Sequence, residues 1–222
     1  MTSPLPPPDL RARVLAAAHA EPMPSRAVGV RRNAVIVAAG LAASVAVLYR
    51  IGGPGTYGRR SDYFVALAAL WLMVGGVATW GGVARGRSML GRSAASRTLV
   101  ATLTPVALLL TAVAASLAWP ATGESPAGTP EHVICIVFTL VFALGPLIAF
   151  AAVRRRSDPV APRLTGAAIG AASGAWGALC IELRCEHASV LHVTLGHVIP
   201  VALLTLIGLV VGDRIIAPRA RR

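Results

Sequence analysis

Six apolar runs, each roughly 20 residues long, are separated by short polar stretches along this chain of 222 residues. Runs of that length match a hydrocarbon core of ~30 Å when they are helical. A helix also satisfies its own backbone hydrogen bonds where no water is available. The runs lie at about 33–51, 63–84, 98–119, 132–153, 164–183 and 190–212. The expected fold class is therefore all-α: a polytopic membrane protein, a bundle of six transmembrane helices. Composition agrees, with 55% hydrophobic residues, 14% charged residues and a mean hydropathy of +0.69, values that a water-soluble domain of this size rarely shows. The connecting stretches leave no room for a soluble catalytic domain, so the chain reads as something other than an enzyme. Any chemistry falls to helix ends and loops.

The basic residues set the expected orientation. The net charge is +12, and all 21 basic residues are arginine. They fall between the apolar runs instead of forming one patch, which argues against direct nucleic-acid binding. Seventeen lie in the 1–32 tail, the second and fourth loops and the C-terminal segment, against four in the alternate loops. Because arginine near a span end resists translocation, both ends are expected in the cytosol. The expected organisation is a cytosolic tail at 1–32, a six-helix domain at 33–212 and a basic cytosolic C-terminus at 213–222. Arg31-Arg32 before an apolar stretch also resembles a cleaved export signal. A retained first helix is the simpler reading, because the run stays apolar to Leu48.

Ionisable residues are nearly absent from the middle of the runs, which weighs against an ion-coupled transporter. Pro105, Pro146 and Pro200 are candidate bends. Gly166, Gly170 and Gly174 recur at four-residue spacing in the fifth run, and Gly208 and Gly212 repeat the device in the sixth. Small residues at that spacing expose a flat backbone face for close helix packing. Trp71, Trp80, Trp119 and Trp176 include candidate interfacial anchors, Trp119 most clearly.

The sparse cysteines and histidines gather toward one side of the expected bilayer. His132 and Cys135 open the fourth run, Cys180 closes the fifth, and Cys185, His187 and His192 fill the next loop, with His197 a turn further in. On this topology that side is the oxidising exterior of a bacterial inner membrane, where thiols form disulfides or bind metal. A Cys135–Cys185 bridge and a Cys180–Cys185 bridge are both compatible with the sequence, and three cysteines leave one unpaired. Thiolates from Cys135 and Cys185 with imidazoles from His187 and His192 also suit a tetrahedral soft or borderline ion. The plain structural alternative is that the cysteines are buried apolar side chains and the histidines sit at the interface. Glu182 and Glu186 flank the loop, where a carboxylate either orients an imidazole or faces water; facing water is the simpler reading.

The tail opens with Pro4, Pro6, Pro7 and Pro8, after which Asp9 is placed to cap a helix over about 9–20, stopped by Pro22 and Pro24. Leu10, Val14, Ala17 and Ala18 make an apolar stripe opposite Arg11 and Arg13. So short a helix is marginal in water without a docking surface. A membrane surface or a protein groove would provide one.

Cys135 near the start of the fourth run, the stretch Leu183-Arg184-Cys185-Glu186, and His192 followed by Gly196-His197 before a glycine-spaced last helix resemble the NrsF-type six-span membrane anti-sigma factors. The resemblance implies a protein that sequesters an extracytoplasmic-function sigma factor at the membrane and releases it on a periplasmic metal or oxidative signal. It implies that Cys135 and Cys185 form the sensing pair, with Cys180 as an additional thiol and His132, His187, His192 and His197 as candidate ligands. By position, Leu10, Arg11, Arg13, Val14 and Leu15 become the sigma-contacting candidates. The implied partners are the sigma factor and the bilayer, with a homo-oligomer left open, and no cofactor beyond a metal ion at the outer cluster. The sequence departs from the family pattern at Glu186-His187 and at Leu195-Gly196-His197, departures that bear on the signal sensed. Two other functions fit parts of the pattern. A metal-handling transporter would use the same cluster for capture but lacks a midplane relay, and a thiol oxidoreductase facing the periplasm lacks a Cys-x-x-Cys pair.

Overall fold

The computed structural model describes residues 26–55, 60–84, 92–118, 129–155, 157–158, 160–187 and 189–217, together with Asp9, Ala12, Arg13 and Ala16. Its helices are α1 (Arg26–Arg50), α2 (Ser61–Val83), α3 (Ala94–Ala118), α4 (Thr129–Arg154), α5 (Pro162–Glu182) and α6 (Val190–Ile216). All six are long and apolar enough to cross a membrane. Several extend beyond the apolar runs: α1 starts seven residues before Asn33, and α6 continues four beyond Gly212. Polar side chains do not interrupt helical hydrogen bonding, so hydropathy marks the apolar stretch and not the helix end. The chain divides into a small unit, Met1–Val35, and a main unit, Ile36–Arg222, which holds the packed core.

Helix α5 is the centre of that core. Within its apolar stretch 89% is buried, against 17–44% in the other five helices, and α2, α3, α4 and α6 all pack against it. The cause is its composition: between Gly166 and Ala178 only Ile169, Ser173 and Trp176 carry more than a methyl group. A Cβ on Gly166 would strike the Gly208 carbonyl, and one on Gly170 would strike that of Leu204. One on Gly174 would lie 2.8 Å from the Val201 Cα, and one on Gly212 2.8 Å from the Arg163 Cα. Backbone thus meets backbone along the α5–α6 contact, which maximises dispersion contact between the two helices.

Two of the tryptophans pack into the bundle, Trp71 completely and Trp176 in part. Trp71 is fully buried and donates to the Thr111 hydroxyl at 2.9 Å, and Trp176 donates to Thr79 at 2.8 Å. Trp80 is exposed, and Trp119 lies outside the described residues. Two prolines find compensation from neighbouring helices. Pro146 has no N–H for the Phe142 carbonyl, which instead accepts from Ser44 of α1 at 2.6 Å. Pro200 likewise frees the Gly196 carbonyl, which accepts from Thr139 of α4 at 2.9 Å.

A buried ionic cluster joins the α4–α5 turn to α3. Asp158 pairs with Arg97, lies 3.8 Å from Arg154, and accepts from the Thr165 hydroxyl at 2.5 Å and from the Val160 and Ala161 N–H groups. Arg97, Arg154 and Asp158 are all at most 2% exposed. Burial opposes ionisation of Asp158, but Thr165, the two N–H groups and Arg97 together hold its carboxyl below the usual range. The Asp158 N–H donates to the Ile216 carbonyl, which ties this cluster to the end of α6.

Asp158→Ala should cost about 3–5 kcal/mol, since it strands buried guanidinium charge. A depressed carboxylate pKa contributes stability above its unfolded value and loses it as pH falls through the folded one. The melting-temperature gap between wild type and Asp158→Ala in detergent should therefore narrow below about pH 4.

Candidate metal centre

Three segments build the site. Cys135 lies in the second turn of α4, and Cys185 follows the end of α5 in a tight turn whose Cys185 N–H donates to Ile181 at 2.7 Å. The preceding Leu183 carbonyl accepts from the Gly55 N–H at 2.9 Å. That approach needs Gly52, whose φ of +118° suits glycine and whose missing Cβ makes room for Arg184. The third segment is the start of α6, where Ser189 caps the helix by accepting from the His192 N–H at 3.4 Å.

A π-helical turn, Thr194–Val198, places His197. Five residues of α-helix would turn His197 about 140° away from His192. The wider π turn brings residues five apart onto one face, an arrangement frequent at functional sites. The two rings meet edge to face with centroids 5.6 Å apart. Gly196 lies between them, and a Cβ there would come within 2.9 Å of the Cys135 Cβ.

The result is four buried donors, Cys135, Cys185, His192 and His197, whose ligand atoms all lie within 4.8 Å of one another. The Cys135 and Cys185 sulfurs are 3.9 Å apart. Two sulfurs bound tetrahedrally at ~2.3 Å would be about 3.8 Å apart. The Cys185 sulfur is 3.2 Å from His192 Nε2. His197 Nδ1 pairs with Glu182 Oε2 at 2.9 Å, both side chains being buried. His192 Nδ1 and His197 Nε2 are buried without a hydrogen-bond partner among the described residues. Orphaned imidazole nitrogens are costly in a dry site. A carboxylate on one ring nitrogen with the other free is the arrangement that orients a metal-binding histidine. The donor set fits zinc or a softer ion. The hydrogen bond with Cys135 and burial both raise the Cys185 thiol above its ordinary pKa, so ion binding there must displace a proton.

The structure sorts the sequence candidates. His197, not His187, joins His192 and the two cysteines. His187 lies outside the four, its ring 4.7 Å from that of His192 and its Nε2 3.5 Å from Glu131. The His132 ring also packs against that of His192, tilted, with centroids 4.9 Å apart. Cys180 is not one of the four donors, but it is buried in the same apolar cluster as Cys135 and Cys185, with Leu48, Phe142 and Ile181. Glu182, expected in water, is 2% exposed and holds His197, whereas Glu186 is exposed. The clue to Glu182 was available: it is two residues from Cys180 and closes the most buried helix. In the tail, Arg13 is helical and exposed, while Leu10, Arg11, Val14 and Leu15 lie outside the described residues.

A family profile described as "Negative regulator of sigma F" matches residues 16–217, nearly the whole chain. The chain belongs to the NrsF family. Membership implies a negative regulator of the anti-sigma class, with a sigma factor as the implied partner. The match covers all six helices and every donor of the cluster, while Leu10–Leu15 precede it. Comparisons with curated proteins and with solved structures give no match.

Zinc or cadmium should bind the purified protein with one-to-one stoichiometry, measured by competition with a chromogenic chelator. Glu182→Gln should weaken that affinity 10–100-fold by releasing the His197 ring. His132→Ala should leave it nearly unchanged.

Proposed function

We propose that this NrsF-family chain is a multi-pass protein of the bacterial inner membrane, with both ends in the cytosol, that holds an extracytoplasmic-function sigma factor away from RNA polymerase. Release follows when a metal ion or an oxidant acts on Cys135 and Cys185 at the periplasmic end. The observation that carries this reading is the buried set of four donors from three separate segments, with two imidazole nitrogens unpartnered among the described residues. An ion bound there links α4, the α5–α6 turn and α6, and so favours one packing of the bundle over another. Shifting a two-state equilibrium takes only a few kcal/mol of differential affinity, and a structural metal supplies more than that.

Oxidation is a second route to the same switch, favoured by the 3.9 Å between the two sulfurs. A two-electron oxidant such as a peroxide would take two electrons and two protons from the thiols. The sulfurs would close by about 2 Å to bonding distance. Cys180, in its apolar pocket, takes no part in this route.

On the cytosolic side, the arginine bias puts the 1–32 tail and the second and fourth loops together. In that tail Leu10, Arg11, Arg13, Val14 and Leu15 are the candidate contacts for the sigma factor.

The test is co-purification of the sigma factor with the detergent-solubilised full chain from its own cells. The wild type should lose at least tenfold of its bound sigma factor on exposure to cadmium or peroxide. A Cys135→Ser, Cys185→Ser double variant should retain it. Unchanged, signal-dependent release from the double variant would refute sensing by this pair. Deletion of residues 1–25, which stops short of α1, should abolish retention, and full retention would move the contact surface to the loops.

A further inference from the structure

On the outer face of the bundle, away from the cysteines and histidines, α2 and α3 enclose a groove of about 410 Å³. That volume lies within the usual range for small-molecule sites, roughly 300–1,000 Å³. Its floor is kept open by small residues, Ala78, Gly81 and Ala107. A side chain on Gly81 would collide with Val100. The Thr104 hydroxyl on the floor is already donated to the Val100 carbonyl at 2.6 Å, so it offers an incoming group no free donor. The rims, Met73, Val77, Leu99 and Leu103, are apolar and exposed on the surface of two helices long enough to cross a membrane.

One end of the groove is different. Arg92, just before α3, lays its guanidinium over the Trp80 ring at 3.9 Å from the centroid. Its Nε is buried with no hydrogen-bond partner among the described residues. Ser96, in the first turn of α3, lines the groove beside it. From Trp80 back to Met73 the groove runs about 10 Å along α2. Among the described residues lining the groove, Arg92 is the one cation, and it brings an idle donor to the end of an otherwise apolar channel beside a tryptophan, a ring type that favours the headgroup region.

We propose that this groove is a binding site for an anionic glycerophospholipid, with one acyl chain along Met73, Leu103 and Ala107 and the headgroup phosphate on Arg92. Any lipid can lay a chain against the rims. Preference for an anionic lipid comes from Arg92, whose planar fork suits phosphate and whose charge gains nothing net from a zwitterionic headgroup. Basic pockets between spanning helices are known to select lipids on this ground. The site depends on neither the sigma factor nor the metal centre.

The experiment uses the full chain reconstituted in phosphatidylcholine vesicles containing a small fraction of lipid with brominated acyl chains, which quench tryptophan on contact. Brominated phosphatidylglycerol should quench several-fold more than brominated phosphatidylcholine at equal mole fraction. Trp80→Phe should remove most of that difference, locating it at this groove. Arg92→Gln should bring the two lipids level, and Arg92→Lys should restore part of the preference. Ala107→Phe, which fills the floor, should reduce Trp80 quenching by both lipids. Equal quenching of the wild type by the two lipids would overturn the proposal, as would a preference that survives Arg92→Gln.

Discussion

Backbone contact between α5 and α6 is the constraint on which the rest of this structure depends. Where Gly166 meets Gly208 and Gly170 meets the Leu204 carbonyl, no side chain separates the helices. Such dispersion contacts, together with internal hydrogen bonds, hold helices of this apolar character against one another. Because the two helices meet along their length, each fixes the other at both ends. At one end Glu182 of α5 reaches His197 of α6, and at the other Asp158, just ahead of α5, donates its N–H to Ile216 of α6. The ionic cluster and the donor cluster therefore share one helix pair.

Hydrogen-bond bookkeeping in a dry interior explains the next layer. Pro146 and Pro200 each free a carbonyl inside a span, and a hydroxyl from a neighbouring helix takes it: Ser44 for Phe142 and Thr139 for Gly196. The second case lies under the metal centre. Thr139 shares that one hydroxyl proton between the Gly196 carbonyl and the Cys135 carbonyl, one turn back in its own helix. The same side chain thus anchors the π turn that swings His197 inward and lies directly below Cys135. Helix irregularity, costly if left unsupported, has support in this case from the helix that supplies a ligand.

The candidate centre gains its character from being closed. Four donors lie within 4.8 Å of one another, all buried, with a carboxylate behind one imidazole, an arrangement that could hold a metal ion. The His132 and His187 ring centroids lie 4.9 Å and 4.7 Å from that of His192, so imidazoles crowd that end of the cluster. The centre draws on α4, the α5–α6 turn and α6, and membership of the NrsF family ties the chain to control of a sigma factor.

The apolar runs determined the number and approximate place of the helices, because length and hydropathy are local properties of the chain. Glycine spacing marked the faces of α5 and α6 that approach closest, and the gathering of cysteines and histidines near 132–135 and 180–197 marked the end of the bundle that carries chemistry. Only the tertiary structure decided which of those residues meet. His187 is two residues from Cys185, yet His197, twelve away, joins the cluster, because a π turn changes the helical phase by an amount no periodicity count anticipates. Glu182 reads as a solvated charge, and nothing local marks Asp158, for the same reason: their partners, fifteen and sixty-one residues distant, become neighbours only when the helices pack. Sequence pattern reports what each helix prefers as its solvent, and ligand geometry is set by rotation and contact between helices.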